Sequence, residues 1–552
     1  MLEEKKTYEE TCAALTWDIP EYFNIGVDIC DRWAEADPDR IALIDVEENG
    51  DFEEYSYADL KAMSNQLANA LAKLGVERKD NEIGDRVGVL LPQCVETAIA
   101  HIAVTKMACV SIPLFTLFGQ EALLHRLRDS SAKVVITNTE GAAKIASIRD
   151  ELPELKHVFS VDGAGANAEN FHDFYQGEST EFTPVKTHSE DAALLIYTSG
   201  TTGNPKGALQ AHRTLLGHLP GVEMSHNFLP HEGDKFWTPA DWAWIGGLLD
   251  VLMPALHHGI PTVAYRFSKF NNVAALELIK KHNIRNAFLP PTALKMMRLV
   301  PDAEKFGIKM RSVASGGETL GTELIEWGEK ALGTTINEFY GQTECNMIVA
   351  ACSAQEYPAP GVMGRAAPGF VVDVIDAETG EIKKAGEEGA IAVQVPNPVM
   401  FIEYWNKPEA TAEKTKKFGD IEWLFLGDRG VREEDGRLRF VGRDDDVICS
   451  GGYRIGPAEI EYCLISHPAV QLAGAVGKPD EIRGELVTAY VTLTDGYNES
   501  PELADEIAQY VKSRLAAHEY PREVRFIDAM PMTTTGKIIR GDLRKMATSE
   551  NN

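Results

Sequence analysis

Cysteine pairs at metal-binding or redox spacing are missing from this sequence. Its eight cysteines, from Cys12 to Cys463, are scattered, and no two stand as C-x-x-C. That excludes the usual zinc-knuckle and dithiol signatures and fits a reducing compartment. Positive charge is also scarce: 54 basic against 84 acidic residues leave a net charge of −30. A field of that sign repels nucleic-acid backbones and anionic membranes, so no nucleic-acid partner is expected, and any anionic substrate must be gripped by a few local cations. Long apolar runs are lacking as well. The best, around Trp242–Leu256, contains Asp250 and is too short to cross a bilayer. The opening Met-Leu-Glu-Glu-Lys-Lys has no apolar signal region. The expectation is a soluble cytoplasmic protein without a transmembrane segment.

The 552 residues are too many for one core, so at least two domains are expected. Most of the chain alternates short apolar strands with helix-like stretches. Thr97–Met107 reads as helix and Ala108–Pro113 as strand. Lys133–Thr137, Ala192–Tyr197, Thr262–Tyr265 and Ala287–Leu289 read as strands, with a helix over Val273–Lys281. This alternation predicts an α/β fold, a large N-terminal domain of layered, largely parallel sheets with helices. The character changes near residue 440. A hairpin over Arg432–Phe440 is followed by Gly442-Arg443-Asp444-Asp445-Asp446, a charged run that cannot be core. Beyond it a smaller α+β unit is predicted: helices at Pro457–Ser466 and Pro501–His518, strands at Val470–Val476, Leu486–Thr492 and Glu523–Ile527. The division expected is 1–441, a linker at 442–446, and 447–552.

The most informative string is Tyr197-Thr198-Ser199-Gly200-Thr201-Thr202-Gly203-Asn204-Pro205-Lys206-Gly207. It follows the apolar strand from Ala192 and precedes a stretch read as helix from Ala211. Its glycines allow close backbone approach to a ligand, its hydroxyls add donors, and Lys206 adds a point charge. The combination suits a polyphosphate. It is not a Walker-type P-loop, because Asn204-Pro205 separate Gly203 from Lys206.

At these residues the sequence resembles the adenylate-forming superfamily of acyl-CoA synthetases, peptide-synthetase adenylation domains and beetle luciferases, and the resemblance runs from about residue 20 to about residue 545. It implies a mobile C-terminal domain and an ATP/AMP site that includes Thr198, Ser199, Gly200, Thr201, Thr202, Gly203 and Lys206. Ser315-Gly316-Gly317-Glu318-Thr319 resembles the segment against the adenine, which adds Gly317, Glu318 and Thr319. Asn337-Glu338-Phe339-Tyr340-Gly341-Gln342-Thr343-Glu344 is similar to the second core motif, adding Glu338, Phe339, Tyr340, Gly341, Gln342 and Thr343. Asp428 matches the ribose-reading carboxylate, an apt acceptor for two vicinal hydroxyls, and Arg443 resembles its companion. Asp445 matches the hinge about which the small domain rotates; an acidic surface turn would look the same in sequence. Gly451, Gly452 and Tyr453 fall where coenzyme A enters, and Arg454 where phosphate is paired before rotation. Pro531–Arg540 matches the C-terminal catalytic motif, with Lys537 bridging the attacking carboxylate and the α-phosphate. The resemblance makes Lys537, Lys206, Thr343 and Glu344 catalytic and gives Thr198 and Glu344 to Mg2+, a hard cation that favours a carboxylate beside phosphates.

Trp244, Ile245, Gly246, Gly316 and Gly341 fall at acyl-lining positions; Trp242 reads equally as pocket or core. Three glycines where bulk restricts chain length imply an acid larger than acetate, short to medium in length or branched, in the manner of the medium-chain branch. The implied activity is an AMP-forming ligase that uses ATP to activate a small carboxylic acid and passes the acyl group to coenzyme A. A stand-alone module loading an acyl or aryl acid onto a carrier protein, or an aryl-CoA ligase, stays open as an alternative. So does the choice between monomer and homodimer.

Overall fold

The computed structural model describes residues 2–80, 82–198, 205–317, 320–443, 446–450, 453–480, 483–515, 520–533 and 536–549. Three sheets organise them. In the eight-stranded sheet, Arg86–Leu90 lies between Val110–Pro113 and Val134–Thr137, with Ala192–Thr198 beyond Val110–Pro113; all these neighbours run parallel. Successive side chains of a strand face opposite sides, and here both sides are core. Leu194 and Ile196 join Val87, Val89, Val134 and Ile136 on one face, while Leu195 and Tyr197 join Val135 and Leu209 on the other. Two-sided burial explains why these strands read as continuous apolar runs, the pattern of a covered parallel sheet. Each fully buried aliphatic side chain contributes about 1.5–3 kcal/mol. Helix Val95–Lys106, buried at every position but Glu96, packs on this sheet, and the Asp45 carboxylate accepts its first N–H at 2.8 Å.

The 14-stranded sheet carries a parallel run Phe236–Trp237, Asn286–Phe288, Ser312–Gly316, Ile336–Gln342. It then turns antiparallel through Asn346–Ala350 and Val362–Ala366 to the hairpin Ile421–Arg432 and Leu438–Arg443. The predicted hairpin at 432–440 is the end of this longer one. A five-stranded sheet gathers Ile448–Ser450, Tyr453–Ile455, Val470–Asp480, Gly484–Leu493 and Glu523–Phe526, with helices Pro457–Ile465, Pro501–Lys512 and Arg540–Ser549. Its core, from Ile448 to Val511, is made only of its own residues.

One expectation is corrected. The phosphate-loop string does not lead from strand to helix. Lys206–Ala211 is itself a strand, antiparallel to Ala192–Thr198, so the loop is the tip of a hairpin, and the helix begins at Thr214. Gly207, Ala208 and Leu209 are short or apolar and buried between Ala192–Thr198 and the edge strand Glu403–Tyr404; that burial, invisible in local propensity, makes the segment extended. The run over Trp242–Leu256 is buried helix from Ile245 onward, and among the described residues no helix is long and apolar enough to cross a membrane.

Candidate active site

The hairpin brings Thr198 and Lys206 into register across the base of the loop, and the Thr198 hydroxyl donates to the Lys206 carbonyl at 3.4 Å. Lys206 Nζ stands 5.1 Å from the centre of the Tyr404 ring, close enough for a cation–π contact. The Tyr404 hydroxyl in turn donates to the Glu344 carboxylate. Burial and the adjacent Glu344 both push the Tyr404 phenol up, so it stays a proton donor. Gln210, wholly buried, donates from Nε2 to the Thr343 carbonyl at 2.7 Å. Lysine, phenol and carboxylate thus form one rigid wall beneath the loop. Neither Tyr404 nor Gln210 was singled out in the sequence. The only local trace of Tyr404 is its place in the aromatic string Phe401-Ile402-Glu403-Tyr404-Trp405.

A second cluster forms where the large sheet meets its hairpin. Tyr340 Oη and Gln342 Nε2 both donate to Asp428 Oδ2, each at 2.5 Å, and Gln342 also donates to the Leu426 carbonyl at 2.7 Å. Arg443 pairs with Asp428 across the ladder, its Nε 3.9 Å from Oδ1. Burial raises the Asp428 pKa, and the Arg443 guanidinium is the first group opposing that rise. Two donors and a cation hold a buried carboxylate in one orientation, which costs less than leaving it unpaired.

Lys537 enters from the C-terminal segment. A Cβ placed on Gly317, which has φ +99°, would stand 3.3 Å from Lys537 Cε and 3.7 Å from its Nζ. Nζ is also 6.0 Å from the Trp244 ring centre. Lysine and glycine loop therefore meet at the carboxyl end of strand Ser312–Gly316, where α/β enzymes place ligands. Glu338 takes a different part from that expected. Its carboxyl is buried and accepts the Leu320 N–H at 3.0 Å, and burial pushes its pKa up to about 8. It fixes the backbone of the loop after Gly317.

The glycine reading of the acyl wall needs correction. A Cβ on Gly341 would lie 1.5 Å from the Asn346 carbonyl oxygen, at a bulge where Ile336–Gln342 pairs with Asn346–Ala350. Backbone contact, not pocket width, demands glycine there, so the position opens no space for acid. At Gly316 a Cβ would meet the Phe339 ring at 2.5 Å, and at Gly246 the Phe288 and Trp244 rings at 2.9 Å. Those rings form a chain, Trp244–Phe288 at 5.5 Å and Phe288–Phe339 at 5.2 Å between centres. Ile245 is buried in a different core cluster from Phe288 and Phe339, and Trp242 is fully buried core. Ser199, Gly200, Thr201, Thr202, Gly203, Glu318, Thr319, Asp445, Gly451 and Gly452 lie outside the described residues. Tyr453 and Arg454 are placed by backbone alone, in strand Tyr453–Ile455.

Among the described residues no three His, Cys, Asp or Glu side chains gather as a metal cage. One buried carboxylate, Glu344, and the Thr198 hydroxyl still suit Mg2+, which is usually held by one or two carboxylates together with substrate phosphates.

A buried carboxylate beside an arginine, a loop with a lysine at its base and a second lysine delivered by the C-terminal segment are what an enzyme activating a substrate on a nucleotide requires. Comparison with known proteins agrees. The AMP-binding enzyme family matches residues 30–405, and the AMP-binding enzyme C-terminal domain matches 459–537. The rat mitochondrial acyl-coenzyme A synthetase ACSM4 is 34% identical over 95% of this chain and 91% of its own. The Bacillus subtilis acetyl-coenzyme A synthetase is 33% identical over 98% and 95%. The crystal structure of ATP-bound MatB from Rhodopseudomonas palustris superposes with a TM-score of 0.83 at 27% identity, covering 96% of this chain and 99% of that one. The chain belongs to the AMP-binding enzyme family, among its acyl-CoA synthetases, and is an AMP-forming acid–CoA ligase.

Proposed function

We propose that the protein joins a carboxylic acid larger than acetate to coenzyme A in two half-reactions that share one site. In the first, the acid's carboxylate oxygen attacks the α-phosphorus of ATP, the bond to the β-phosphate breaks, and pyrophosphate leaves. Lys206 and the backbone of residues 198–203 hold the phosphates. Glu344 and the Thr198 hydroxyl would hold magnesium, which when bound would neutralise phosphate charge. Asp428, kept in place by Tyr340, Gln342 and Arg443, reads the ribose hydroxyls. Lys537 offsets the negative charge that gathers between carboxylate and α-phosphate, a form of electrostatic stabilisation that is commonly the largest single contribution. In the second half-reaction the thiol of coenzyme A attacks the acyl carbon and AMP leaves. The segment beyond the 442–446 linker, turning at Asp445, withdraws Lys537 and presents residues 451–453 to the incoming thiol.

The observation that carries this reading is Lys537 lying against Gly317, more than two hundred residues away in sequence, and near enough to the buried Asp428 carboxylate to act on it. Of the rings Trp244, Phe288 and Phe339, the latter two are buried core and Trp244 is partly exposed, so Trp244 is the ring placed to touch an apolar acid. Each buried methylene is worth only about 0.8 kcal/mol, so neighbouring chain lengths should be separated weakly. Pyrophosphate release with straight acids from two to twelve carbons, branched acids and aryl acids tests this. The expected result is a broad optimum above acetate with coenzyme A as acceptor. Acetate as the best substrate, or transfer only to a phosphopantetheinylated carrier protein, would replace the finer assignment.

A further inference from the structure

Lys537 is not the only contact between the C-terminal segment and the loop after strand Ser312–Gly316. Four residues beyond Gly317, Gly321 meets Tyr462 of helix Pro457–Ile465. A Cβ on Gly321 would fall 1.6 Å from Tyr462 Cε2, 1.9 Å from Cζ and 2.0 Å from Oη. The phenol edge of the ring therefore occupies the space that a side chain at 321 would need. Gly321 has φ −102° and ψ 165°, extended backbone open to any residue, so its own conformation does not call for glycine. It precedes helix Thr322–Ala331 as the N-cap, without a capping side chain. The Tyr462 phenol faces the Thr322 hydroxyl and the Thr322 and Glu323 N–H groups, where a capping oxygen belongs.

The next residue back, Glu461, ties this contact to the catalytic lysine. Arg540, three positions beyond Lys537, donates from Nε to Glu461 Oε1 at 2.8 Å and from Nη2 to Oε2 at 2.5 Å. It also donates to Asp446 Oδ2 at 3.1 Å. The Asp446 carboxylate takes a second bond from Arg544 at 2.7 Å, and Glu461 takes the Ala475 N–H at 2.9 Å. A bidentate arginine pair of this kind fixes geometry as well as adding attraction. The helix carrying Tyr462 and the loop carrying Lys537 therefore move as one piece.

We propose that Tyr462 is a positioning residue for the adenylation half-reaction: its ring, seated on Gly321, latches the C-terminal segment in the orientation that holds Lys537 at Gly317. This rests on the reading above, in which Lys537 serves adenylation and is withdrawn for thioester formation. Tyr462 touches no substrate and acts through Lys537.

The test measures the two half-reactions separately on the full chain. Single-turnover pyrophosphate release reports adenylation, and coenzyme-A-dependent consumption of a supplied acyl-adenylate reports thioester formation. Gly321→Ala and Tyr462→Ala are each expected to slow adenylation about tenfold to a hundredfold, the range set by coupled contacts, with thioester formation within about twofold of wild type. The double variant should be no slower than either single one, because with the ring gone an alanine at 321 obstructs nothing. Tyr462→Phe, which keeps the ring, should recover most of the rate. Unchanged thermal unfolding of the variants guards against a loss of folding. Equal loss in both half-reactions, additive loss in the double variant, or full adenylation in both single variants overturns the latch. Lys537→Ala run alongside separates the claims: if it spares adenylation the underlying reading fails, and if it alone behaves as expected only the latch fails.

Discussion

The two sides of the site are built differently. The phosphate side is anchored in sheet: Lys206 and Thr198 are ladder partners, Tyr404 pairs with Ala208 on the neighbouring strand, and Glu344 stands two residues past the end of strand Ile336–Gln342. The lysine side reaches the site through side chains: Lys537 on Gly317, Tyr462 on Gly321, and Arg540 bridging Glu461 and Asp446. A hydrogen-bonded ladder cannot part without losing many bonds together, whereas one ring on one glycine can separate at small cost. On the two-step reading proposed above, the contrast gives the site one wall fixed by sheet and one that side-chain contacts can release.

The sharpest way to break the comparison is to remove the detachable cation. Lys537→Ala should slow adenylation by about 10²–10³ while leaving thioester formation from supplied acyl-adenylate near wild type. A matching loss in both would mean that the lysine belongs to the fixed wall. Next in size, Arg540→Ala takes the bidentate partner from Glu461, while Asp446 keeps Arg544, and losing such charged hydrogen bonds costs about 1.5–3 kcal/mol. Denaturant unfolding should lose that much from the transition reporting residues 447–549, with the remainder of the chain little changed; a uniform loss would contradict separate units. On the fixed side, Tyr404→Phe removes one hydrogen bond to a carboxylate, worth about 1.5 kcal/mol. Adenylation should fall about tenfold, read as pyrophosphate release.

An effect of another kind, read in pH, concerns the loop that both sides share. Glu338 is raised from 4.5 to about 8 in the fold, chiefly by burial. A carboxyl raised this way gives the folded state its full benefit below pH 4.5 and loses it as pH climbs through about 8. Glu338→Gln keeps an acceptor for the Leu320 N–H and cannot ionise. Urea unfolding should show the variant gaining on wild type steadily between those pH values, and a constant difference would mean that Glu338 is ionised in the fold.

Much of this was legible beforehand, and what was hidden had a common cause. Helix Val95–Lys106 and strands Val134–Thr137 and Ala192–Thr198 announce themselves because both sheet faces are buried, so periodicity and composition agree. Lys206, Glu344, Asp428 and Lys537 stand out through motifs that resemble those of the family; by residue type alone each of the last three reads as a surface charge. Strand Lys206–Ala211 was missed, and helix placed too early at Ala211, because its extension comes from two flanking strands, one of them two hundred residues away. Gly341 was misread because a glycine that admits a neighbouring backbone looks the same in sequence as one that widens a pocket. Tyr404, Gln210, Tyr462 and Gly321 carried no signal, since each acts through one partner distant in the chain. Glu338 sits in a motif yet turns inward, and only burial reveals it.

The most direct measurement bridges positions 321 and 462. Gly321→Cys with Tyr462→Cys, joined by a short bis-maleimide and compared with the identically treated single variants, holds the detachable wall against the fixed one. The bridged protein should release pyrophosphate once per site and keep its acyl-adenylate when coenzyme A is added, while the controls turn over. Acyl-CoA formation by the bridged protein at the controls' rate would contradict the account.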